Sequence, residues 1–152
     1  MKLKSFIAVV LASLLFTSCG SMSKLLSSTD FTNGSAAGSV IRKLFSEFTN
    51  VGSIDFSKAQ NILNVASLAS SLTSLKGDVS NQTVSDFTQG LIKGSSNLVN
   101  TNNSSDVMGI LSGLSNLNLS GATNSIETGK TTSTDAASLI SGISGLMSLL
   151  KK

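Results

Sequence analysis

Few residues in this chain can do chemistry, and their types and spacing exclude most reactions. Histidine, the commonest general base and transition-metal ligand, is absent. There is one cysteine, Cys19, so no disulfide can form within the chain and no thiolate cluster can hold zinc. The acidic residues Asp30, Glu47, Asp55, Asp78, Asp86, Asp106, Glu127 and Asp135 stand eight or more positions apart, and no stretch has the spacing of a calcium loop. A serine nucleophile with a lysine base has two matches in Ser-x-x-Lys spacing, Ser21 with Lys24 and Ser148 with Lys151. Among 31 serines two such matches carry little weight. The expectation is a protein that is not an enzyme, with no cofactor, no metal and no catalytic residue.

Cys19 is then the residue with a chemical assignment. Lys2 and Lys4 precede an eleven-residue apolar stretch, Phe6 to Phe16, broken only by Ser13. This is the layout of a secretory signal peptide, and it falls short of the ~20 residues a membrane-spanning helix needs. The segment Phe16-Thr17-Ser18-Cys19 resembles a bacterial lipobox, where a small residue precedes an obligatory cysteine. Phe16 departs from the usual Leu, Val or Ile in a way that resembles Bacteroidota lipoproteins. The resemblance covers residues 1 to about 20. It implies lipidation of the Cys19 thiol, cleavage before Cys19 and acylation of the new amino terminus. Each buried methylene contributes roughly 0.8 kcal/mol and one chain anchors marginally, so two or three chains make the attachment effectively permanent. Gly20-Ser21-Met22-Ser23 has neither an aspartate beside the cysteine nor an acidic cluster. By that analogy the protein sits on the periplasmic face of the outer membrane rather than at the inner membrane or cell surface.

Without residues 1–18 the chain has 134 residues, enough for one domain with a single core. Nine basic residues then face eight acidic ones. No basic stripe is present to neutralise phosphates in series, and no Tyr or Trp is available for base stacking, so nucleic acid is not an expected partner.

The elements that would carry a surface are read from periodicity. Residues 19–34 are rich in Ser, Thr, Asn and Gly and read as a flexible lipid-anchored tether, leaving 35–152 as a helical domain. Ala37, Val40, Ile41, Leu44, Phe45 and Phe48 predict a helix over 36–49. Asp55 is the expected cap of a second helix over 55–76, which ends at Lys76-Gly77. A third, over 82–99, contains Gly90 and Gly94 and is the weakest pattern. A fourth runs to Leu117 with Asp106 as its expected cap, and a last one spans 135–150, with residues 118–133 between them as a polar connection. The fold expected is all-α, a small bundle of four or five short helices.

Helices 106–117 and 135–150 align at an offset of 29, with five of thirteen positions identical. They carry Gly109, Gly113, Gly142 and Gly145, although glycine in a helix costs about 1 kcal/mol relative to alanine. Small residues four apart let helix backbones approach closely. One reading is tight packing within the bundle; the sharper one pairs these helices with a protein partner or a second copy of the chain. A third feature is the last helix, apolar on one face and closed by Lys151-Lys152, which resembles an interfacial amphipathic helix. The functional expectation is a non-catalytic cell-envelope lipoprotein with a structural or protein-binding role. The alternative is a helical carrier or membrane-surface protein that binds a lipid or other apolar ligand.

Overall fold

The computed structural model describes residues 28–76, 80–130 and 132–151. It contains six α-helices: α1 Thr29–Val51, α2 Ala59–Ser71, α3 Asn81–Gly94, α4 Ser104–Ser115, α5 Leu119–Glu127 and α6 Thr134–Leu150. A 3-10 turn, Leu72–Leu75, extends α2. No strand occurs among the described residues, so the all-α expectation holds, with one helix more than the upper expectation.

Helix α1 begins at Thr29, ahead of the expected boundary at 35, so its first turns use residues read as tether. Ser28 caps it by accepting from the Phe31 amide at 3.5 Å, and Phe31 and Gly34 are buried. Its stripe of Ala37, Val40, Ile41 and Leu44 enters the core. Gly52 ends it in a left-handed conformation, φ +80°, and donates its N–H to the Phe48 carbonyl at 2.7 Å.

Asp55 does not cap α2. Its carboxylate instead accepts from the amide and hydroxyl of Ser57 at 2.9 and 2.6 Å, closing a turn before the helix. Lys58 occupies the cap position of α2 with no side-chain bond to the free amides. Helix α3 is capped by Ser80 and ends at Gly94, five residues before the expected end. The chain then turns through Ser96 and Asn97, both at positive φ.

The polar run after it is a folded turn built on two asparagines. Asn100 Oδ1 accepts from the amides of Asn102 and Asn103, and Asn103 Oδ1 accepts from the Asn100 amide. Helix α4 starts at Ser104, so Asp106 lies in its first turn rather than at its cap. The expected connection over 118–133 holds α5, capped by Asn118, with Ala122 and Ile126 buried. Ser133 caps α6 by accepting from the Ala136 amide.

Helix α1 packs on α2, α3 and α6; α6 also holds α4 and α5; and α5 closes against α2. The core is one continuous cluster in which Leu44, Leu68, Leu72, Phe87, Leu91, Leu139 and Ile143 are fully buried. Burying each such side chain contributes roughly 1.5–3 kcal/mol. The apolar face of α6 is used inside this core through Ala136, Leu139, Ile143, Leu146 and Met147. No helix among the described residues is long and apolar enough to cross a membrane.

Candidate functional site

Cys19, the expected lipidation site, lies outside the described residues, as do Ser21 and Lys24. Of the second Ser-x-x-Lys pair, Ser148 is exposed on α6, and the Lys151 ammonium lies 6.0 Å from the centre of the Phe48 ring. That cation–π contact ties the end of α6 to α1. The described carboxylates do not gather: no group of three potential metal ligands forms among the described residues. Glu47 pairs with Lys58 at 2.7 Å, which holds the Lys58 ammonium above its ordinary value. The two Ser57 bonds hold the Asp55 carboxyl below its own. Asp86 is buried and accepts from Gln82 Nε2 at 2.6 Å and Ser28 Oγ at 3.1 Å, fastening the start of α1 to α3.

Close backbone approach does occur, but between α1 and α3. A methyl group on Gly34 would overlap the Phe87 carbonyl oxygen, and one on Gly38 the Leu91 carbonyl oxygen. The relation is reciprocal, because methyls on Gly90 and Gly94 would overlap the carbonyl oxygens of Phe31 and Ser35. Each glycine Cα–H therefore points at a carbonyl of the other helix, the geometry of weak Cα–H···O bonds. The contacts step in one sense along both helices, from Ser28 with Asp86 to Arg42 with Ser96, so α1 and α3 run parallel. Sequence reasoning missed this seam, although Gly34-x-x-x-Gly38 and Gly90-x-x-x-Gly94 are its signal.

The glycines singled out from the sequence behave otherwise. Among the described residues nothing lies within 4 Å of the position a Cβ would take at Gly109, Gly113 or Gly145, so packing between the described helices does not explain them. Gly142 alone is packed, under the Leu114 side chain of α4. The outward face of α4 presents Ser105, Gly109, Ser112, Gly113 and Asn116, and that of α6 presents Ala137, Ser141, Ser144, Gly145 and Ser148, all exposed.

Two open grooves mark the surface. One, of about 660 Å³, is lined by Phe56, Ile126, Ala137 and Ile140 with Ser57, Gly129 and Ser141. The other, of about 970 Å³, lies between the C-terminal half of α1 and the first turns of α2. Its lining includes Arg42, Lys43, Glu47, Lys58, Asn61 and Asn64. No family model, curated protein or solved structure matches the chain.

Proposed function

We propose that this chain is a non-catalytic lipoprotein of the cell envelope, anchored through lipid on Cys19 at the periplasmic face of the outer membrane. Its role is structural or protein-binding, through the outward faces of α4 and α6. The observation that carries the binding role is the set of solvent-facing helical glycines, Gly109, Gly113 and Gly145. Each costs about 1 kcal/mol relative to alanine and has no packing return among the described residues. A partner helix, from another protein or a second copy, would supply that return by approaching the bare backbone.

Two experiments test the reading. Metabolic labelling with a fatty-acid analogue should tag the natural chain and spare Cys19→Ala; labelling that persists in the variant rejects the anchor. Cross-linking in native membranes should trap a partner or a dimer through a photoreactive residue at Ser112. Gly109→Leu and Gly113→Leu should abolish that product while leaving the fold intact. A cross-linked product indifferent to both substitutions rejects the face.

A further inference from the structure

The groove between α1 and α2 combines charge with spare hydrogen-bonding capacity. Arg42 and Lys43 enter it from α1, and Lys58 from the start of α2. Glu47 is the one carboxylate in the lining, and its partner is Lys58, so Arg42 and Lys43 have no ion pair among the described residues. Arg42 is held by a 2.8 Å bond from Nη1 to Ser96 Oγ. The lining carries three cations against one anion, an excess that matches a dianion.

Two side chains in the floor add hydrogen-bonding capacity to the charge. Asn64 is 7% exposed and Asn61 4% exposed, yet both line the groove. Asn61 Nδ2 donates to the Asp55 carbonyl at 2.7 Å, and Asn64 Oδ1 accepts from Gln60 at 3.4 Å. Asn61 Oδ1 and Asn64 Nδ2 make no protein bond among the described residues and stay open to solvent, leaving one acceptor and one donor for an occupant. The groove also exceeds the size of a bare phosphate, and Ser46 and Asn50 extend its polar wall.

We infer that this groove binds a polyol phosphate. Arg42, Lys43 and the Asn64 amide donate to the phosphate oxygens, while Asn61 Oδ1 accepts from a neighbouring hydroxyl. A phosphate monoester carries about −1.5 to −2 charges at neutral pH, and charge-assisted bonds from Arg and Lys are the strong ones. A soluble ester offers glycerol phosphate with close to two negative charges, and the headgroup of phosphatidylglycerol offers it as a diester with a single charge. Glu47 competes with the phosphate for Lys58.

The test uses the full chain. Titration with glycerol 3-phosphate, with glycerol as the control, examines the soluble source. Flotation with phosphatidylglycerol vesicles, against phosphatidylcholine vesicles, examines the headgroup. Binding in either arm, weakened at least tenfold in the Arg42→Gln/Lys43→Gln double variant and several-fold in Asn64→Ser, supports the site and identifies its source. Glu47→Gln should strengthen binding several-fold by releasing Lys58. No preference for phosphate in either arm overturns the inference, as does binding that survives the double variant. Both basic residues are exposed, so the double variant keeps the fold.

Discussion

The molecule uses glycine in two opposite ways. In the α1–α3 seam four glycines are covered by carbonyl groups of the facing helix, whereas on α4 and α6 three glycines face open space. The first set exchanges helix propensity for backbone contact; the second gives up propensity with no contact among the described residues. The difference shows that a glycine-rich helix has no single meaning, and that what lies opposite each missing side chain decides it.

The comparison breaks most visibly in the seam. Gly34→Ala or Gly90→Ala should destabilise by about 3 kcal/mol or more, since the added methyl meets backbone that cannot rotate away; urea unfolding measures this. A change below about 1 kcal/mol would mean that the helices are not closely packed. Asp86→Ala removes the bonds from Ser28 and Gln82 at the head of the same seam. It should cost about 1–3 kcal/mol, with amide exchange rising first in the opening turn of α1. Gly142→Ala meets only the tip of Leu114, a side chain that can turn, so a loss of about 1 kcal/mol separates it from the seam glycines. Gly109→Ala and Gly113→Ala should reverse the sign and raise stability by up to about 1 kcal/mol each. Thermal melts of these variants test whether the outward glycines are retained at the expense of stability.

The smallest effect is expected from pH, at the α1–α2 corner. Asp55 has its carboxyl held below the ordinary 3.8 by the bonds from Ser57. Its contribution is complete above that value and lost as pH falls through the lowered folded pKa. Lys58 is raised above the ordinary 10.5 by Glu47, so its contribution is complete below 10.5 and lost as pH rises through the folded pKa. Between those limits this corner should be insensitive to pH, which side-chain NMR titration would verify.

Apolar periodicity made the middle of α1 and nearly all of α6 legible, because their buried residues recur every three or four positions. It did not reveal the start of α1, where Thr29, Asp30, Thr32 and Asn33 surround the single large apolar residue Phe31. Nor did it reveal α5, where Leu119, Ala122 and Ile126 are too few in nine residues to stand out from polar neighbours. Asp55 read as a helix cap because its preference for free amides is equally met by a turn, and Ser57 supplied that turn. Gly90 and Gly94 weakened the reading of α3, since propensity treats glycine as a liability while the fold uses it as a contact. The floor of the basic groove was hidden for another reason. Asn61 and Asn64 are polar residues of α2 that become a groove floor only once α1 packs beside that helix, which neighbouring sequence does not encode.

The parallel course of α1 and α3 also bears on how the protein folds. Their partners are 53 to 59 residues apart along the chain, and parallel neighbours cannot be joined by a tight turn. Closing so large a loop has an entropic cost that local helix formation does not bear, and long-range contacts slow folding. The glycine face of α1 therefore stays unsealed until the chain has emerged through residue 95, whether from the ribosome or across a membrane. Until then α1 has α2 to pack on, but not the α3 carbonyl groups that its glycines meet.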